Sequence, residues 1–418
     1  MRTVLVTGTG GAGRTTVAAA TALAAAREGS RTLLLTADRG PVPGAVLAAD
    51  LPAESLAPVE PIPAAPGLWA ARIDADVRFR GHAQDLQERG ASLFDLLGAA
   101  PFDAEELTEL PGAEALATLA ALRSAHTDGG WDLIVVDAPP AAETARLLAL
   151  PEQLRRYLRR LLPTERQAAR ALRPMLAQLV GVPMPAQKLY EHAEHWEREL
   201  AAVQGVIESA STTVRLVVEP GAHAAEALRA ARAGLALQGC RIDAVVANRL
   251  LPTGSADPFL AALSGRQQTA LKEIHEEYGQ AAATVCELPH LGRDIQGPDD
   301  AAELAGRCVT TAGGASAAPG LAPGTAGPDD RAADPWTVED RLSEDGVLVW
   351  LLPLPGARRE GLDLVRRGDE LIVSVSPFRR VLPLPSALRR CTVSGAGLRD
   401  GVLRVRFTPD PALWPKSF

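Results

Sequence analysis

The sequence predicts an α/β fold, a parallel sheet carrying an inserted helical subdomain, with a small all-β sandwich at the carboxyl end. Three observations predict it. Near-continuous apolar runs alternate with helical stretches through the first part of the chain, the mark of parallel strands covered on both faces. Two long amphipathic stretches, about 80–127 and 152–208, interrupt that rhythm. Past residue 335 the pattern changes to short strands separated by turn signals.

Each element follows from its residues. "TVLVT" (3–7) is a β-branched apolar strand ending at glycine, and "TTVAAATALAAAREG" (15–29) is a helix that Gly29 closes. "RTLLLTAD" (31–38), "WDLIVVDAPP" (131–140), "TTVRLVVEP" (212–220), "CRIDAVVANRLLP" (240–252) and "AATVCELP" (282–289) are further buried strands. The two helical stretches are expected above the carboxyl ends of the strands, where open α/β sheets place ligand sites. Residues 306–335, rich in Ala, Gly and Pro, read as a disordered linker between a domain over 1–305 and a β-sandwich over 336–410.

A length of 418 residues allows two or three domains, and a net charge of −8 argues against nucleic acid or an anionic membrane as main partner. No apolar run approaches the ~18 residues of a membrane span. The opening "MRTVLVTGTGG" lacks the order of a signal peptide, so a cytoplasmic protein is expected. Cys240, Cys286, Cys308 and Cys391 show no C-x-x-C spacing and read as packing thiols. His192 and His195, three apart among glutamates, read as a solvated helix face.

The chemistry is carried by "TGTGGAGRTT" (7–16). Gly8, Thr9, Gly10, Gly11, Ala12, Gly13, Arg14 and Thr15 fit G-x-x-x-x-G-K-[ST] at every place but Arg14. In such a loop glycines let successive N–H groups face phosphate oxygens at a helix start, here reaching Thr16, while the Thr15 hydroxyl serves Mg²⁺. "LIVVDAPP" (133–140) delivers Asp137 from a strand end as the second metal-organising group. "LLLTAD" (33–38) places Asp38 at another strand end, where a carboxylate orients attacking water or, alternatively, caps a turn.

Together these residues resemble the arsenical-pump ATPases (ArsA) and the related targeting ATPases of tail-anchored membrane proteins. "TADRGP" (36–41) stands at that family's switch I, and "DAPPAAETARLLALP" (137–151) is similar to its switch II. "ELPGAEAL" (109–116) resembles its P-G-x-[DE]-E segment. "VVANRLLP" (245–252) resembles the strand whose asparagine, here Asn248, recognises adenine; "ELPHLGRDIQG" (287–297), with Pro289, resembles the loop that closes over the base. The resemblance implies a P-loop NTPase fold, ATP and Mg²⁺ as cofactors, catalytic roles for Asp38 and Arg14, and work as a homodimer or as a heterodimer with a paralogue. It also implies a protein client or membrane-protein partner, while the net charge of −8 leads to the expectation of no nucleic acid. "AGLRDGVL" (396–403) is similar to the α-crystallin signature A-x-x-x-N-G-V-L, with Asp400 replacing its asparagine.

Three departures bear on activity. Arg14 stands where lysine bridges the phosphates, in a chain with only three lysines among its 43 basic residues. Arginine keeps the charge but is not a compact point donor, so hydrolysis suffers more than binding. Thr9 stands where the family's second lysine reaches the partner's nucleotide. The switch II segment lacks the usual glycine and histidine. A non-hydrolysing half of a heterodimer is therefore the alternative reading, with a ParA/MinD-like partitioning ATPase behind it. Arsenite pumping is not expected, since soft As(III) prefers clustered thiolates and neither helical stretch holds a cysteine. For a client groove those stretches offer only Met175 and Met184, so core packing of their helices competes with client binding.

Overall fold

A computed structural model describes residues 1–52, 59–89, 102–103, 105–161, 185–278, 283–312, 315–317, 321–323 and 336–414. Its larger sheet has ten strands: β1 (Arg2–Gly8), β2 (Thr32–Thr36), β3 (Ile62–Ala65), β4 (Leu68–Arg72), β5 (Leu133–Asp137), β6 (Thr212–Val218), β7 (Arg241–Leu250), β8 (Thr284–Pro289), β9 (Val309–Ala312) and β10 (Ala315–Ala317). They lie in the order β10-β9-β8-β7-β6-β1-β5-β2-β4-β3. The run from β8 to β4 is parallel, and β3, β9 and β10 join antiparallel at the two edges.

The apolar runs have no polar side because both faces are covered. In β1, Val4 and Val6 enter one core with helices α1 (Arg14–Arg27), α2 (Val42–Leu47) and α9 (Gly297–Gly306), while Leu5 enters the other. The alternation is the period-two geometry of a strand. Helix α1 is alanine-rich and buried from Val17 through Leu23, which lets its backbone lie close against the sheet.

The opposite face carries α3 (Ala75–Arg89), α4 (Ala113–Asp128), α5 (Ala141–Leu161), α6 (Pro185–Ile207), α7 (Ala224–Leu237) and α8 (Pro258–Tyr278). This amends the expected position of the two helical stretches. Ala117, Leu119, Ala121, Leu122 and Ala125 of α4 share a core with Leu5, Leu33 and Ile134, and Val203 and Ile207 of α6 join it. They cover the sheet face, because a parallel strand pair needs a crossover helix on it. The remainder of the two stretches, 90–101 and 162–184, with Met175 and Met184, lies outside the described residues.

The stretch expected as linker begins as more sheet. β9 completes the open edge of β8, pairing Val285 with Thr311, and the β-branched run Val309-Thr310-Thr311 suits that place. Leu321 is fully buried, and its carbonyl accepts a 2.5 Å hydrogen bond from Arg215 of β6. Residues 324–335 lie outside the described ones.

The carboxyl-terminal sandwich pairs a four-stranded antiparallel sheet, β11 (Thr337–Arg341), β12 (Val347–Pro353), β17 (Val402–Pro409) and β16 (Cys391–Arg399), with a three-stranded one, β13 (Leu362–Arg367), β14 (Glu370–Val375) and β15 (Phe378–Pro383). Leu348, Trp350, Leu371, Val373, Val405 and Phe407 fill the space between them. Asp400 and Gly401, at φ 53° and 70°, make the tight β16–β17 turn. The sandwich is docked on α5 and α7. Arg156 holds Glu370 through two hydrogen bonds of 3.0 and 2.8 Å, and buried Arg380 reaches Glu152 at 2.9 Å and the Leu237 carbonyl at 3.1 Å.

At the centre of this contact a Cβ on Gly234 would lie 2.6 Å from the buried Phe378 ring. Gly234→Ala is expected to cost about 1–3 kcal/mol in urea unfolding. In a Phe378→Leu background the same change should cost much less, and strictly additive costs would show that the ring is not what alanine meets.

Candidate functional site

The site forms where β1, β5 and β2 end side by side. In register, Asp137 lies opposite both Val6 of β1 and Thr36 of β2. Past β1 the chain must bend sharply. A Cβ on Gly8 would fall 1.8 Å from the Val217 carbonyl oxygen, and the Thr9 amide donates to that oxygen at 3.0 Å. Gly11 and Gly13 then take left-handed φ of 78° and 85°. Gly10 and Gly11 form the exposed tip, and a Cβ on either would meet nothing within 4 Å.

Helix α1 starts directly from this loop, with Gly13 as its N-cap and no side chain capping it. The first-turn amides of Arg14, Thr15 and Thr16 have no intrahelical acceptor, and the helix dipole adds positive potential there. A phosphate oxygen is the ligand such an end takes.

Asp137 is buried, and burial pushes its carboxyl above the ordinary carboxylate range. Hydrogen bonds from Thr15 and Thr36 and the charge of Arg14 oppose that rise; Asp38 adds to it. Thr15 thus lies near enough to Asp137 to act on its carboxyl, and the two offer hard oxygen donors of the kind Mg²⁺ takes. The residues present fit a magnesium-bound nucleotide: open loop amides for phosphate, and oxygens at their edge for the metal.

The remaining residues singled out in the sequence fall as follows. Arg14 donates from its guanidinium to the Ala138 carbonyl, in the segment after β5. Asp38 is half-buried, and its carboxylate accepts the Gly40 amide at 2.7 Å, an Asx turn that holds the loop after β2. Asn248 is buried behind the loop and donates to the Ala12 carbonyl at 2.8 Å, so its Nδ2 is engaged by the protein. Pro289 ends β8, half-buried and paired with Leu250. His195 is exposed, the side chain of His192 is outside the described ones, and among the described residues no cluster of three His, Cys, Asp or Glu could hold a metal.

Sequence reasoning missed several residues. The Thr36 hydroxyl, fully buried, donates to the Asp137 carboxylate at 2.9 Å and accepts the Asp38 backbone amide at 3.1 Å, joining Asp137 to the Asp38 backbone. Its position at the end of "LLLT", beside a strand ending in Asp, was the available signal. Thr7 and Thr144 both donate to the Pro139 carbonyl, at 2.5 and 2.7 Å, and so fix the start of α5. Arg39 pairs with Glu109 at 2.6 Å, tying the loop after β2 to the segment before α4. Cys286 and Cys308 also meet: a hydrogen bond with Cys308 draws the Cys286 thiol below its usual range. No sequence spacing announces these contacts.

Beside Pro139 opens a cleft of about 640 Å³ that reaches from α4 and α5 to Pro377 and Phe378 of the sandwich. Glu114, Glu143, Leu147 and Leu150 are among the residues that line it. Burial, with the nearby charge of Glu109, raises the Glu114 carboxyl. Among the described residues no helix is long and apolar enough to cross a membrane.

The chain is similar to known proteins along its length. Residues 1–309 match the family model described as anion-transporting ATPase, and residues 345–407 match that of an HSP20-like domain found in ArsA. An uncharacterized protein of Streptomyces coelicolor is 54% identical over the full length of both chains. A Mycobacterium tuberculosis protein, Rv2184c, is 31% identical over 99% of this chain and 97% of its own. An Aquifex aeolicus protein provisionally named arsenical pump-driving ATPase 1 is 25% identical over 93% of this chain and 95% of its own.

Because burial raises Asp137, the protonated carboxyl suits the folded protein better than the charged one. Its contribution is whole below the unfolded pKa, about 4, and is lost as pH rises through the higher folded value. Asp137→Asn is therefore expected to raise the thermal midpoint at pH 7, with the gain vanishing below about pH 4. A midpoint at pH 7 lower than that of the parent would contradict the assignment.

Proposed function

The chain belongs to the anion-transporting ATPase family, and on that premise we propose that it binds ATP with Mg²⁺ and couples the nucleotide state to a client or partner protein. The observation that carries this reading is the Thr15–Asp137 pair, set at the rim of a loop whose first-turn amides are uncapped.

In this reading the amides from Gly10 to Thr16 bind the triphosphate, and Arg14 adds positive charge beside them. Thr15 and Asp137 would hold the metal. Bound magnesium would neutralise charge developing on the phosphate oxygens. Asp38, freed from or shared with the Gly40 amide, orients water and takes its proton. Thr36 keeps Asp38 and Asp137 at a fixed separation. Arg14 serves through its link to Ala138, which supports a slow enzyme, since the guanidinium must serve both that carbonyl and a phosphate.

Coupling to a client is supported by the path from the site. Ala138 and Pro139 lead straight into α5, which carries Glu152 and Arg156, both bonded to the HSP20-like domain. The cleft beside Pro139 is bounded by both parts, so a client or partner segment there would contact each. A homodimer or a heterodimer is the assembly we propose.

A second reading has its own support. Arg14 is occupied by the Ala138 carbonyl, and Thr9 offers no amine to a partner's nucleotide. The chain would then be the non-hydrolysing half of a heterodimer that receives a partner's lysine.

Phosphate release from the purified chain separates the two. The first reading expects slow Mg²⁺-dependent release by the chain alone, lost in Asp38→Asn by at least about 100-fold while ATP still binds. Release only in a mixture with a lysine-bearing paralogue would favour the second. A chain that neither releases phosphate nor binds ATP would overturn both.

A further inference from the structure

β7 breaks its ladder where it reaches the site. Pairing with β8 slips between Ala247 and Leu250, so Asn248 and Arg249 stand in a bulge. Arg249 adopts φ 59°, a left-handed conformation uncommon for a residue with a long side chain. Bulges re-aim side chains, and backbone strain of this kind persists where surrounding structure enforces it, often at functional sites. Both residues here turn to the phosphate loop. Asn248 Nδ2 donates to the Ala12 carbonyl at 2.8 Å and lies where a Cβ on Gly13 would come within 2.5 Å. Arg249 Nη1 donates to the Gly11 carbonyl at 2.9 Å, with Glu219 at 3.4 Å from the same nitrogen.

The consequence follows from peptide geometry. In a planar trans peptide the carbonyl of one residue and the N–H of the next point in opposite directions. Pinning the Ala12 carbonyl to Asn248 therefore aims the Gly13 N–H away from β7. Arg249 holds the preceding plane by its Gly11 carbonyl, while the Ala12 N–H of that plane donates to the Thr9 carbonyl at 3.4 Å. Glycines at 10, 11 and 13 give this loop more backbone freedom than any other residue would. Two consecutive planes held from outside remove much of it.

We infer that the Asn248–Arg249 bulge is a clamp that presets the donors of the phosphate loop before a nucleotide arrives. Arg249 is a positioning residue acting through the loop backbone, and its strained φ is the cost of that placement. The effect on nucleotide affinity rests on the ATP-binding reading; the clamp itself is a property of the nucleotide-free chain.

The test uses the full chain with Arg249→Gly and Arg249→Ala. Both remove the guanidinium, and only glycine also relieves the backbone. Hydrogen exchange of the peptide spanning residues 8–15, measured without nucleotide, should quicken about tenfold in both variants, the loss expected for one such hydrogen bond. Thermal stability of Arg249→Gly should equal or exceed that of the parent, which separates a loosened loop from a weakened fold. Mg-ATP affinity by calorimetry should fall about tenfold in both. Unchanged exchange across 8–15 in both variants overturns the clamp, whatever the affinity does. Quickened exchange in a chain that shows no Mg-ATP binding even unmutated upholds the clamp while refuting the ATP reading.

Discussion

The parallel register of three strand ends is the constraint on which the rest of the molecule depends. β5 lies between β1 and β2, so the last residue of β5 is flanked by the end of one strand that turns into the phosphate loop and another that turns into the Asp38 loop. Asp137 can touch Thr15 and Thr36 together only in that arrangement. A slip of one residue would turn Asp137 to the other face of the sheet. The apolar alternation that sends Val4 and Val6 to one core and Leu5 to the other guards against such a slip. Packing and site geometry are thus specified by the same residues.

A buried carboxylate that would rather be neutral is an expense in stability, borne here at the point where a divalent cation would relieve it. The surrounding hydroxyls of Thr7, Thr15, Thr36 and Thr144 are suited to this place. They donate to carbonyls and carboxylates without bringing a second charge. Arg14 is the exception. Its long side chain reaches past the loop to Ala138, so the residue that departs from the familiar motif also links the loop to the start of α5. From there the helix runs to the HSP20-like domain, whose Arg380 and Glu370 are held by Glu152 and Arg156.

Much of this was legible in the sequence, for identifiable reasons. Near-continuous apolar strands such as "LIVVD" have one environment that suits them, so the parallel sheet and Asp137 at its edge could be read directly. Gly11 and Gly13 announced the loop because their backbone angles exclude most other residues. The second layer was hidden. Thr36 looks like any strand-ending threonine, and Asn248 and Arg249 gain their role from a bulge that no local propensity signals. In the sequence α4 reads as part of an insertion, because amphipathic periodicity does not say which surface a helix covers. β9 and β10 read as linker in the sequence because their short runs sit among Ala, Gly and Pro, the composition of a flexible tether.

The most direct measurement is the effect of Mg²⁺ on ATP affinity, read calorimetrically in the parent chain and in Thr15→Val. The account expects the parent to bind ATP roughly tenfold or more tightly with Mg²⁺ than without it, and valine, which keeps the shape but lacks the oxygen, to erase that difference. An affinity indifferent to the metal in the parent, or a metal effect untouched by Thr15→Val, would contradict it.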